Sequence, residues 1–193
     1  MCAVPEMSVE ALTAEQVRDL YARRLTRDFP PDELKPLSRI EQAMTRGEYV
    51  CYGAVEGGAI LAYAFFVLLG RLALFDYYAV DEPLRDRGIG SRFMRALIEG
   101  PLADMDCVLL EVDDPDGAEA LGEVALRRRR LVFYLKNGLV ETGVKATVYG
   151  VDFDILTLPV RERPSADGVR RMYARLYRAI LPPPLYEKWV KIH

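Results

Sequence analysis

An α/β domain is the fold class this sequence predicts, on three observations. Helix-start patterns alternate along the chain with short apolar runs rich in aromatic and β-branched residues. Turns at Glu56-Gly57-Gly58 and Tyr149-Gly150 join neighbouring apolar runs as hairpins do. The run Leu72 to Val80 then passes through Arg85-Asp86-Arg87-Gly88-Ile89-Gly90 into a helix-patterned stretch, so a strand feeds a helix through a glycine loop. With 193 residues, 51% hydrophobic and 28% charged, the chain is long enough for one well-buried core and short for two.

Leu12 to Val17 opens the first helix: Thr13 and Gln16 make a capping box, and Leu12 with Val17 a hydrophobic staple. Val17, Leu20, Tyr21 and Leu25 share one face, and Phe29-Pro30-Pro31 ends the run. Ser38 and Glu41 form a second capping box ahead of Met44, giving a short helix that ends near Gly47. Tyr49 to Val55 and Ala59 to Leu69 are the arms of a hairpin, and a third strand follows. Ile60 to Val80 is apolar enough to rival as a buried helix, but Gly70-Arg71 breaks it and its aromatic residues favour strands. Ile89, Phe93, Leu97 and Ile98 make one face of the next helix, which ends at Gly100-Pro101, and Cys107 to Val112 is a short strand. Asp116 with Glu119 caps a long helix running through Asn137 and closed by Gly138. Leu139 to Val148 and Val151 to Leu158 are the last two strands. The tail is helical from about Ala166 to Ile180, with Val169, Met172, Tyr173, Leu176 and Ile180 on one side, and then meets Pro182-Pro183-Pro184.

Composition removes several function classes. With 29 acidic and 26 basic residues the net charge is −3, which gives no basic excess for a nucleic-acid partner. No apolar stretch of spanning length is free of charge or turn residues, and Met1 to Glu10 lacks the basic start and apolar core of a signal peptide, so a cytoplasmic protein without a membrane partner is expected. Cys2, Cys51 and Cys107 are widely spaced and His193 is the single histidine, so no metal site and no Cys-His nucleophile is expected.

The glycine loop carries the functional signal. A loop that enters a helix presents unpaired N–H groups at the positive end of the helix dipole, which suits a phosphate, and Gly88 and Gly90 let the backbone approach it. A dinucleotide fingerprint needs a third glycine where Phe93 stands, and a P-loop needs Gly-Lys-Ser/Thr. What remains is Arg/Gln-x-x-Gly-x-Gly/Ala, and here the chain resembles the GNAT superfamily of acyl-CoA-dependent N-acyltransferases. A second motif joins it: Tyr134 lies four residues before Gly138, as in the superfamily's Tyr-x-x-x-Gly-Phe ending of the last core helix.

The resemblance implies a mixed, mostly antiparallel central sheet flanked by helices, with a splayed strand pair at the cofactor site. It covers residues 1–159, with 160–193 a C-terminal helical extension packed on the same domain or on a partner subunit. It implies acetyl-CoA as cosubstrate, its pyrophosphate on Arg85, Asp86, Arg87, Gly88, Ile89, Gly90 and Ser91, and its thioester and pantetheine along Tyr78, Ala79 and Val80 where the strand bulges. It implies that Tyr134 protonates the departing thiolate, a task a phenol with pKa about 10 can perform. Arg127 stands where relatives often carry an asparagine that touches pantetheine. Arg127, Arg130 and Tyr134 share one side of the helix, where two cations suit an anionic group and lower the tyrosine pKa.

Removing a proton from the attacking ammonium calls for a carboxylate. Glu111, which interrupts Val108-Leu109-Leu110-Glu111-Val112, is the first candidate; a salt bridge with an arginine of the following helix explains it equally well. Asp76 on the strand entering the bulge is the second, and Asp113 shares the face of Glu111. Tyr77, Asp152 and Asp154 are candidates to line an acceptor pocket, and Tyr134 has the alternative of an aromatic residue packing a helix end. The expected function is acetyl transfer to a primary amine by direct attack. The acceptor is a small molecule first and a peptide N-terminus or lysine second, and the protein is a monomer or homodimer. The alternative is a noncatalytic acyl-CoA-binding regulatory module on the same fold.

Overall fold

The structure, a computed structural model, describes residues 7–31, 33–114, 117, 121–158, 160–161 and 163–193. They fall into two compact units, Met1–Leu68 with Phe75–Ala103, and Leu69–Leu74 with Asp104–His193. The class is mixed α/β, with mostly antiparallel strands flanked by helices.

The first unit holds β1 (Ser8–Ala11), α1 (Ala14–Leu20), a π-helical stretch (Tyr21–Leu25), α2 (Thr26–Asp28), α3 (Leu37–Thr45), β2 (Tyr49–Glu56) and α4 (Ile89–Glu99), with most of β3 (Ala59–Leu69) and β4 (Leu72–Val80). Its strand order is β1-β2-β3-β4. Both bonds of the Thr13 box form: the Gln16 N–H donates to the Thr13 hydroxyl at 3.2 Å, and the Thr13 N–H to the Gln16 side chain at 2.9 Å. The helical run stops at Phe29, forced to an extended φ of −130° and ψ of 145° by the proline after it.

The second capping box does not form. The carbonyl of Pro36 accepts from Arg39 and Ile40, so α3 starts before Ser38 and that hydroxyl lies inside the helix. Proline's fixed φ, −54° here, sets the entry two residues earlier than the serine does. Gly57 and Gly58, at φ 57° and 82°, supply the two positive dihedrals of a tight hairpin between β2 and β3. Strands occupy the apolar run from Ile60 to Val80, broken at Gly70.

β1 was not expected from the sequence: three of its four residues are exposed, so it shows no burial periodicity. It pairs antiparallel with β2, Glu10 opposite Gly53. A Cβ on Gly53 would stand 2.9 Å from a Leu12 methyl, so the glycine permits that close approach. The unit's core is aromatic, with Tyr63, Phe65, Phe66 and Phe93 fully buried. The Phe66 and Phe75 rings lie 4.3 Å apart, and each such side chain contributes about 1.5–3 kcal/mol by leaving water.

The second unit holds β5 (Cys107–Asp113), α5 (Leu121–Lys136), β6 (Val140–Val148), β7 (Val151–Leu158), α6 (Ala166–Ile180), α7 (Pro183–Trp189) and β8 (Val190–Ile192). Its strand order is β5-β7-β6-β8 and every pair is antiparallel. Tyr149 and Gly150, at φ 50° and 85°, turn β6 into β7, and Gly143 at φ 71° sits in a bulge where the register shifts between Glu141 and Val144.

Asp116 and Glu119, expected to cap the long helix, lie outside the described residues. At its other end Gly138 has φ 95°, its N–H donates to the Leu135 carbonyl, and the Leu139 N–H reaches back to the Tyr134 carbonyl, which is a Schellman closure. In the tail, Val169, Tyr173, Leu176 and Tyr177 are buried on one side of α6. The tail goes on to form α7, with proline in its first turn, and then β8, which pairs with β6, Thr147 opposite Lys191.

Candidate active site

The glycine loop has the backbone geometry that an anion site needs. α4 begins at Gly88, φ 77° and ψ 0°, a left-handed conformation that costs glycine little. Among the described residues no side chain caps this start. The first helical N–H groups, those of Ile89, Gly90 and Ser91, thus lie outside the helix's own ladder at its positive end. A Cβ at Gly88 would meet nothing within 4 Å, so the space beside this glycine is open. Asp86 also has positive φ, 61°, which its short side chain tolerates.

The loop is tied to its own unit on both sides. Tyr78 donates to the Gly90 carbonyl at 2.6 Å and stacks on Phe93 with ring centroids 5.7 Å apart, locking the end of β4 to the first turn of α4. Tyr78, Ala79 and Val80 are half-buried, where Leu72 to Phe75 are fully buried. Arg85 donates to the Val80 carbonyl at 3.2 Å and reaches the buried Asp28 carboxylate at 3.5 Å. Tyr63 also donates to Asp28, at 2.9 Å. Arg85 is therefore held as a brace for the loop, and Arg87 is exposed. Asp28 was missed from the sequence; no local pattern links it to Tyr63 or Arg85.

Side-chain alternation breaks within β4. Phe75 and Tyr78 pack together, ring centroids 6.1 Å apart, while the adjacent Asp76 and Tyr77 both reach Lys35. Two neighbouring side chains on one side of a strand are the mark of a bulge. Asp76 is nearly buried and accepts from Lys35 Nζ and from the Tyr49 hydroxyl. Burial, and then the Asp76 charge, push the Tyr49 phenol well above its ordinary value. Tyr77, a candidate for an acceptor pocket, donates to the Glu33 carbonyl at 2.9 Å and accepts from the Lys35 N–H at 2.8 Å.

In the second unit, the Schellman closure fixes Tyr134 two residues from the end of α5. Burial pushes its phenol up to about 12, and the Asp113 charge adds to this. The pull of Arg130 opposes them and loses, so the cations do not lower this pKa on balance as the sequence suggested. Arg130 is paired with Asp113 at 3.2 Å. Arg127 turns to the Asp114 carbonyl at 2.8 Å and to Glu123 at 2.6 Å, so its guanidinium pins the start of the helix to the end of β5.

Glu111 has found partners other than an arginine. Tyr173 and Tyr177 of α6 both donate to its Oε1, Tyr177 at 2.5 Å. Burial comes first, and the Glu111 charge second, in raising both phenols far above their ordinary value. Among the other acceptor-pocket candidates, Asp152 accepts from Thr147 at 2.7 Å and Asp154 pairs with Lys145 at 3.2 Å. Asp152 also lines a cleft of about 220 Å³ with Asp114, Lys145, Ala146 and His193. Among the described residues no cluster of histidine, cysteine or carboxylates is arranged to hold a metal ion, and no helix is long and apolar enough to cross a membrane.

The fold, mixed α/β with β4 feeding an open helix start through a glycine loop, is of the acetyltransferase type. The chain belongs to the GNAT family: the model of the Acetyltransferase (GNAT) family matches residues 14–121, a span that includes β4 and the glycine loop and ends before Tyr134. The chain is 34% identical over 139 residues, 64% of its length and 83% of the relative's, to the N-alpha-acetyltransferase RimI of Mycobacterium tuberculosis (strain ATCC 25618 / H37Rv). Its fold is similar to that of the ribosomal-protein-S18-alanine N-acetyltransferase from Escherichia coli, with a TM-score of 0.61 and 17% identity over 82% of this chain and 97% of that one. It is also similar to a GNAT family acetyltransferase from Elizabethkingia anophelis with acetyl-CoA bound, with a TM-score of 0.55 and 15% identity over 79% and 97%. At these identities the structural likeness is one of fold.

Proposed function

We propose that this protein is an N-acetyltransferase that takes an acetyl group from acetyl-CoA and delivers it to a primary amine by direct attack. The observation that carries the reading is the open start of α4. Its three amides and the left-handed Gly88, with open space beside it, suit a pyrophosphate. Tyr78, Ala79 and Val80 supply the backbone along which the pantetheine arm and thioester lie. Tyr134, with its pKa pushed up to about 12, stays protonated at neutral pH and donates its proton to the thiolate. Asp76 and Glu111 are the carboxylates available to take the ammonium proton, Asp76 through exchange with Lys35. Similarity to an N-alpha-acetyltransferase supports a peptide amino terminus as the first acceptor to try, ahead of the small-molecule amine the sequence favoured.

One observation favours the noncatalytic reading: both carboxylates are already engaged, Asp76 by Lys35 and Tyr49, Glu111 by Tyr173 and Tyr177. One experiment decides between the two readings. Calorimetry with acetyl-CoA is paired with thiol release in the presence of peptides of different N-terminal residues and of small amines. Binding with amine-dependent thiol release supports the enzyme, and binding without release supports the regulatory module. Absence of binding refutes both.

A further inference from the structure

We propose that Lys35 is a self-acetylation site, the ε-amine of this chain serving as an acceptor for its own acetyl-CoA. The proposal rests on the acetyl-CoA-dependent activity set out above.

Lys35 is firmly held. Its backbone N–H donates to the Tyr77 hydroxyl at 2.8 Å, and its carbonyl accepts from the Tyr21 hydroxyl at 3.0 Å. Pro36 follows and begins α3, so the backbone is fixed on that side too. The side chain lies with Nζ 5.6 Å from the Tyr77 ring centroid and ends on the Asp76 carboxylate. An amine held this way has already lost the freedom that a diffusing acceptor must give up, and such positioning is the largest rate advantage of intramolecular reactions.

Its destination matters as much. Asp76 is in the bulge of β4, two residues before Tyr78, where the segment proposed to carry the thioester begins. Lys35 is 40% exposed against 10% for Asp76, so the amine stands at the open side of a nearly buried carboxylate. The sequence has four other lysines, 136, 145, 188 and 191, all in the second unit. Lys145 is also ion-paired, to Asp114 at 2.5 Å and Asp154 at 3.2 Å, and is the internal reference for nonspecific acetylation.

The step balances without another reactant. The Lys35 ammonium gives one proton to Asp76, which passes it to water. The free amine attacks the thioester carbonyl, the N–C bond forms and the C–S bond breaks. The second proton lost from nitrogen ends on the departing thiolate, giving the amide and free coenzyme A. Asp76 then loses its cationic partner and keeps Tyr49.

The test incubates the protein with acetyl-CoA and no added amine, and peptide mass spectrometry follows acetylation at all five lysines over time. Lys35 is expected to react about 10²-fold faster than Lys145, at a rate constant independent of protein concentration. Gly90→Val and Asp76→Asn, each confirmed folded by circular dichroism, are expected to lose that preference. Equal rates at Lys35 and Lys145, a preference that survives Gly90→Val, or a rate that rises with protein concentration would each overturn the inference. Calorimetry and amine-dependent thiol release on the same sample separate the two levels. Binding and turnover with Lys35 unmodified remove the inference and leave the enzyme, whereas absence of acetyl-CoA binding removes both.

Discussion

Replacing Tyr173 and Tyr177 together by phenylalanine takes both hydroxyl donors from the Glu111 carboxylate and changes little else in shape. Tyr173 is fully buried and Tyr177 nearly so, so water does not easily replace either hydroxyl. A hydrogen bond to a charged group is worth about 1.5–3 kcal/mol. The two share one oxygen, so their effects fall short of additive, and the double variant is expected to lose about 3–5 kcal/mol. For a chain of this size that lowers the thermal midpoint by on the order of 10 °C. The pH dependence has a definite sign. Both folded-state pKa values are raised, so the stabilisation is fully present below pH about 10, the ordinary tyrosine value. Above that the unfolded chain releases protons that the folded chain retains, and stability falls by about 1.4 kcal/mol per pH unit for each tyrosine. The double variant lacks two such slopes, so its deficit narrows as pH rises from 10 to 11. Urea unfolding across pH 7–11, followed by far-ultraviolet circular dichroism, measures both quantities. A double variant with the wild-type midpoint at pH 7, or with an unchanged alkaline slope, refutes the account of Glu111 as a carboxylate held by the tail.

Two further expectations concern the reaction. Tyr134→Phe should lower kcat by about 10² to 10⁴-fold with little change in acetyl-CoA affinity; an unchanged rate where chemistry limits turnover would make Tyr134 a packing residue. Gly88→Val forces a β-branched side chain into φ 77° at the residue that starts α4, so calorimetry should show strongly weakened acetyl-CoA binding in a variant that still folds. Unchanged affinity would mean that the pyrophosphate lies elsewhere.

Features settled within one turn of chain were legible in the sequence. The Thr13–Gln16 box, the Gly57-Gly58 hairpin and the Gly138 closure that positions Tyr134 each depend on residues only a few places apart, and each forms. Ser38 failed because Pro36, two residues earlier, competes for the same helix start and has the stiffer dihedral. β1 and β8 were unreadable because strands of four and three residues are too short for a periodic signal, and the Pro182–Pro184 run reads as a stop although proline suits the first turn of α7. The partners of the charged candidates were hidden for another reason. Glu111 meets tyrosines 62 and 66 residues away and Asp76 meets a lysine 41 away, so the long-range fold, and no local pattern, decides which proton donors surround each carboxylate.

The strand order of the two units gives them different folding histories. Neighbours in β1-β2-β3-β4 are also neighbours along the chain, so that sheet grows by short closures. β5 waits for β7, and the Thr157 hydroxyl that bonds the Val108 carbonyl does so across 49 residues. Closing a long loop before any contact rewards it slows folding, and the Tyr149-Gly150 hairpin is the local seed able to lead. Until that hairpin docks, the apolar edge Cys107 to Leu110 has no partner on that side. During refolding, this interval is when the chain is most exposed to aggregation, and dilution or a lower temperature should rescue yield by slowing encounters between chains.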